Sequence, residues 1–157
     1  EHRQGRLEKP LQFLIAGEGP CEPNLKLRIA QLGLTTVEVL GSLDIGGLRA
    51  ALARTHFSVL PSRWYENGPM AALESLAAGI PLVGTNMGGI PEMIVEGETG
   101  TTVSVGDAAA MLAALRRTRD MGPEASHACR NWAVANASRS GHMAALAGIL
   151  ENTLRPQ

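Results

Sequence analysis

The sequence predicts an α/β fold, a parallel sheet with helices on both faces. Three observations lead there. Short apolar runs, each closed by Gly, Pro or a polar residue, recur at 11–17, 36–41, 57–62, 81–85 and 101–105. Strands buried on both faces have this composition. Stretches with apolar residues at helical spacing lie between them, joined by short loops. Strict alternation of strand and helix with short connections yields parallel neighbours.

Each element has its local reason. "LQFLIAG" (11–17) is a buried strand ended by Gly17. In "EPNLKLRIAQLGL", Leu25, Ile29 and Leu32 share a helix face, with Asn24 as N-cap and Gly33 as the stop. "TVEVLG" (36–41) is rich in β-branched residues. "GLRAALARTH" (47–56) places Leu48, Ala51 and Leu52 together on a helix. "FSVLPS" (57–62) is a strand closed by proline, 69–78 a helix, "PLVGT" (81–85) a strand, 89–97 a short helix and "TTVSV" (101–105) the last strand. The helix over 107–120 has Asp107 as N-cap and arginines at its C-terminal end, where the helix dipole favours cations. Two more helices are expected near 123–138 and 142–154, broken at Ser140-Gly141. The expected organisation is a polar lead over 1–10, a Rossmann-like domain over 11–120, and C-terminal helices over 121–157 packed on that domain.

Composition removes several function classes. The chain has 157 residues, enough for one domain with a core. A net charge of −1 offers no polycation to nucleic acid, and 3% aromatic residues leave few platforms for stacking single-stranded bases. Nucleic acid is therefore not an expected partner. Cys21 and Cys129 are far apart without CxxC partners, and the histidines show no metal-ligand spacing, so neither a disulfide framework nor a metal site is expected. Free thiols and a polar start suit a cytoplasmic protein. No stretch approaches the length of a membrane span, although contact with a membrane surface stays open.

Parallel sheets bind ligands at the carboxyl ends of their strands. Two stretches there carry chemistry. "GEGPCE" (17–22) invites a dinucleotide reading, but Glu22 stands where that fingerprint needs its third glycine, and a carboxylate would repel a pyrophosphate. A tight turn, or a glycine floor under another phosphate or sugar, fits better. In "ENGPMAALE" (66–74), Gly68 suits an N-cap and Pro69 the first helical position. The amides from Met70 onward then point out unpaired and suit an anion. Glu74 lies one turn after Met70 on the same side, where a carboxylate suits a pair of neighbouring hydroxyls. Spacing alone leaves open that Glu66 is a solvated loop residue and Glu74 a surface residue on an amphipathic helix.

The order of motifs goes further. Pro61-Ser62, Glu66 and Glu74, Gly79-Ile80-Pro81-Leu82, Gly88-Gly89-Ile90-Pro91-Glu92 and Glu98-Thr99-Gly100 follow one another across 60–107, with "LIAGEGP" (14–20) and "VEVLGSL" (37–43) upstream. In this the chain resembles the donor-binding, C-terminal half of the family 4 retaining glycosyltransferases of GT-B fold (glycosyl transferases group 1). The resemblance covers residues 11 to about 107 well and the C-terminal helices loosely. It implies a nucleotide diphosphate sugar as donor substrate, no other cofactor and no metal. It implies hexosyl transfer with retained configuration, in a setting such as polysaccharide assembly. Glu66 would contact the donor sugar as the catalytic-site carboxylate. The segment Gly68, Pro69 and Met70 would meet the sugar and diphosphate, and Glu74 the ribose hydroxyls. Gly17 and Gly19 would let the backbone approach the donor, and Leu43 would lie near the base. Gly88-Gly89 reads as a packing turn and Ser62 as a turn residue or a contact.

Two departures matter. The family opens this domain with a strand ending in Gly-Arg-Leu and a Lys-Gly that together clamp the diphosphate. "GRLEKP" (5–10) carries Arg6 and Lys9 but runs straight into the next strand, so the similarity is taken as accidental. The clamp and the central first strand are then missing, as is the acceptor-binding N-terminal domain. The chain is expected to be a fragment of a longer transferase, inactive alone and prone to self-association. The alternative is a non-catalytic nucleotide-binding or scaffold domain of the same fold.

Overall fold

The computed structural model describes residues 11–154; the lead expected over 1–10, with Arg6 and Lys9, lies outside the described residues. The chain forms two compact units, Glu1–Ala53 and Arg54–Gln157.

The first unit contains β1 (Phe13–Ala16), α1 (Glu22–Gln31), β2 (Val37–Gly41) and α2 (Ile45–Ala53). β1 and β2 are parallel, with Phe13 opposite Val37 and Ile15 opposite Val39. The register then shifts by one, so Ala16 faces Gly41. α1 begins earlier than expected. Its N-cap is Cys21, not Asn24, because Pro23 fits the first turn, where no N–H is needed. It stops at Gly33 as expected, with the amides of Gly33 and Leu34 bonded back to Ala30 O and Ile29 O. α2 also begins earlier than 47, since Asp44 Oδ1 accepts the Gly47 amide at 2.7 Å and caps it. None of the described residues of this unit is buried.

The second unit contains β3 (Ser58–Leu60), α3 (Met70–Ala77), β4 (Leu82–Thr85), a single 3₁₀ turn (Pro91–Met93), β5 (Gly100–Val103), α4 (Ala108–Arg119), α5 (Pro123–Ala137) and α6 (Arg139–Leu154). Its strands run parallel in the order β3-β4-β5. α3 lies against β3 and β4, α4 against β4 and β5, and α5 against α3. The core gathers Leu76, Leu82, Ile90, Met93, Ile94, Cys129 and Ala133. Each side chain of Leu size contributes roughly 1.5–3 kcal/mol by leaving water. Two buried polar groups are paired: Ser75 Oγ donates to Ser58 Oγ at 2.7 Å, and Cys129 Sγ to Thr99 O at 3.7 Å.

Asp107 caps α4 as expected, accepting the Ala110 amide at 2.8 Å. Three expectations are corrected. The helix over 89–97 shrinks to the turn Pro91–Met93, because Ile94 is already extended. The α5–α6 break falls at Ser138, not Ser140-Gly141: Ser138 has extended dihedrals and its hydroxyl accepts the Gly141 amide at 3.2 Å, so Gly141 lies inside α6. The cap of α3 is Pro69 rather than Gly68.

Candidate functional site

The loop from β3 to α3 holds the second unit's candidate residues, and it is anchored at both ends. After Leu60 the chain leaves the sheet through Pro61-Ser62. The Ser62 carbonyl accepts the hydroxyl of buried Thr85 at 2.6 Å, which ties this exit to the end of β4. The Ser62 hydroxyl donates to Glu66 Oε1 at 2.6 Å and fixes the carboxylate of that half-buried residue. The backbone is held as well. The Glu66 amide bonds Trp64 O at 2.9 Å, closing a three-residue turn with Tyr65 at its apex. The Glu66 carbonyl accepts the Gly89 amide at 2.6 Å. Gly88 packs so closely that a Cβ there would lie 2.5 Å from Glu66 N, and its φ of 57° is the left-handed region that favours glycine. A Cβ at Gly89 would meet Asn67 O at 2.5 Å. The Gly88-Gly89 pair is therefore a packing turn beneath Glu66.

α3 starts where this loop ends. Pro69 is buried and extended, with ψ of 116°, and its carbonyl accepts the amides of Ala72 and Leu73. Met70 and Ala71 precede these first helical bonds, so their amides are the helix's orphan donors, at the positive end of its dipole. Pro69 itself has no N–H to offer. Glu74 is half-buried one turn beyond Met70, on the same face. At the far end Gly79, with φ of 80°, stops the helix: the amides of Gly79 and Ile80 return to Leu76 O and Ser75 O. The structure thus places Glu66, Gly68, Pro69, Met70 and Glu74 on one loop and the helix it opens, and adds Ser62 as the group that aims Glu66. The signal for Ser62 was its place four residues before Glu66, but in a loop that spacing has no periodicity to give it meaning.

In the first unit the candidates gather at the carboxyl ends of β1 and β2. The Gly17 amide donates to Gly41 O at 2.7 Å, joining the two strand ends. Gly17 and Gly19 are exposed, with open space where a side chain would stand. Leu43 is half-buried and lies against Gly47 at the start of α2. A cavity of about 380 Å³ between α1 and β2, lined by Ile29, Ala30, Val37 and Val39, takes in none of these residues.

Among the described residues no group of three or more His, Cys, Asp or Glu could hold a metal ion, and no helix is long and apolar enough to cross a membrane. Both cysteines are free thiols: Cys21 is exposed, and burial pushes the Cys129 thiol up to about 11. At the end of α4 the Arg119 guanidinium and Asp120 carboxylate bond each other in the open, raising the pKa of the first and lowering that of the second.

Comparison with known proteins agrees with this architecture. The glycogen synthase of Mycobacterium tuberculosis is 40% identical over 111 residues, covering 68% of this chain and 26% of that protein. The chain spans about a quarter of the length of the curated relatives it matches. Among solved structures, sucrose-phosphate synthase from Thermosynechococcus elongatus superposes with a TM-score of 0.76 at 23% identity, covering 91% of this chain and 38% of that one. HepE of Anabaena, in complex with UDP, superposes with a TM-score of 0.75 at 18% identity, covering 90% and 41%. At these identities the likeness is one of fold. Residues 3–120 match the sequence family described as glycosyl transferases group 1, and the chain belongs to that family.

Proposed function

We propose that this chain is the donor-binding part of a retaining glycosyltransferase and takes a nucleotide diphosphate sugar. The observation that carries this reading is the segment 62–74. It sets a carboxylate aimed by a serine, the open amides of a helix start, and a second carboxylate one turn on. Glu66 would accept hydroxyls of the sugar, the Met70 and Ala71 amides would meet the diphosphate, and Glu74 would accept the ribose diol. Hydrogen bonds to a charged acceptor contribute roughly 1.5–3 kcal/mol each. The UDP in the related HepE structure supports a nucleoside diphosphate as the ligand class. On this reading the developing diphosphate charge is met by helix amides rather than a resident metal. An acceptor-binding domain belongs to the same longer, cytoplasmic protein.

Thermal melting with UDP, GDP, ADP and NAD tests the reading. At about 100 times its dissociation constant, a ligand stabilises by about 2.7 kcal/mol. One nucleoside diphosphate is expected to raise the melting temperature, NAD is not, and Glu74→Ala is expected to abolish the rise. A cooperative melt that no diphosphate moves would count against donor binding by this chain. Binding without transfer, in a longer protein that includes the acceptor domain, would favour the non-catalytic nucleotide-binding domain instead.

A further inference from the structure

Two of the chain's five aromatic residues stand side by side in the β3–α3 loop, and neither serves the core. Trp64 is 81% exposed and Tyr65 85%. The backbone beneath them is fixed. Trp64 and Glu66 are the two feet of the three-residue turn, joined by the 2.9 Å bond from the Glu66 amide to Trp64 O. The Gly89 amide holds Glu66 O, and Gly88 lies against the backbone of Tyr65 and Glu66 with no room for a side chain. The Glu66 carboxylate is fixed in turn by Ser62. A large exposed aromatic on an immobilised backbone gains nothing for folding, since its ring stays in water. Its place two residues before a fixed carboxylate, on the same turn, has a definite chemistry. A pyranose ring offers hydroxyls at its edge and C–H groups on its face. The edge suits a carboxylate, and the face suits the π-surface of an indole.

We propose that Trp64 is a sugar-stacking residue: the sugar of the bound nucleotide sugar places its hydroxyl edge on Glu66 and its C–H face on the Trp64 indole. This rests on the donor-site reading and deepens it. Trp64 then contributes to the sugar part of the affinity and nothing to the nucleotide part. Tyr65, at the apex of the turn rather than at a foot, does not share that role.

The test is calorimetric titration of the full chain with UDP, GDP and ADP, and with UDP-glucose, GDP-mannose and ADP-glucose. The readout is the ratio of affinities between a nucleotide sugar and its own diphosphate. Trp64→Ala is expected to reduce that ratio about three- to tenfold, leaving the free diphosphate unchanged. Trp64→Phe is expected to recover most of it, and Tyr65→Ala to leave it unaltered. Both positions are exposed, so the three variants keep the fold, which their melting curves check. The other tryptophan, Trp132, is half-buried against the core. A blue shift of indole emission on adding nucleotide sugar, absent with diphosphate and absent in Trp64→Ala, would mark the same contact. An unchanged ratio in Trp64→Ala overturns the proposal, as does a wild-type chain that binds sugar and diphosphate forms equally. A loss in Tyr65→Ala in place of Trp64→Ala also overturns it. Failure to bind any diphosphate overturns the donor-site reading, and this proposal with it.

Discussion

Ser62 shows how one hydroxyl can matter through another residue. Its side chain aims Glu66, while its carbonyl secures the loop to Thr85. Ser62→Ala removes the first bond and keeps the second. It is expected to cost only about 1 kcal/mol of stability, since the site is partly open to water. It should weaken binding of nucleotide sugar more than of diphosphate, as titration of both would show. Gly88→Ala acts on the backbone instead. A Cβ would strike Glu66, and the left-handed conformation adds its own penalty. A loss of about 2–4 kcal/mol in denaturant unfolding is expected. Thr118 is the opposite case: its hydroxyl is buried with no partner among the described residues. Thr118→Val is expected to raise stability by about 1 kcal/mol. Glu66 and Glu74 stood out in the sequence as candidates because their types and the Gly-Pro between them have a chemical meaning in one dimension. The bond from Ser62 to Glu66 and the exposed place of Trp64 did not stand out, since both depend on a turn that folds residues 62–66 back on themselves.

At the scale of elements, the strands and the helices over 107–120 and 123–138 were legible, because apolar runs and Asp107 encode them directly. The missed boundaries share a cause. Asp44 and Ser138 are caps set by a single side-chain bond, and Pro91 permitted a helix that the extended Ile94 does not continue. Burial along the strands differs sharply. Every residue of β4 is buried, whereas β1 and β2 contain none that is. Local opening is least costly where few apolar groups leave water. Amide hydrogen exchange is therefore expected to be fast in β1 and β2 and slow in β4. Equal protection in all three would show that the first unit acquires a core in solution.

For the whole molecule, the two sheets have consequences the elements do not. Among the described residues β1 pairs only with β2, and β3 only with β4. A strand with an unpaired side can recruit another chain, so the mass in solution is expected to rise with concentration, as light scattering would show. How far each unit stands alone was not legible, since burial depends on contacts distant in sequence. The two thiols divide between the units, Cys21 in the first and Cys129 in the second. Cys129 keeps its proton in the fold up to about pH 11, against an ordinary value of 9.0. Its contribution to stability is present below the ordinary value and is lost as the pH climbs towards 11. The same contrast makes the protein its own clock. At mildly alkaline pH a maleimide dye attaches to Cys21 at once and reports from the head of α1, while the rate of the second attachment counts each opening of the core around Cys129.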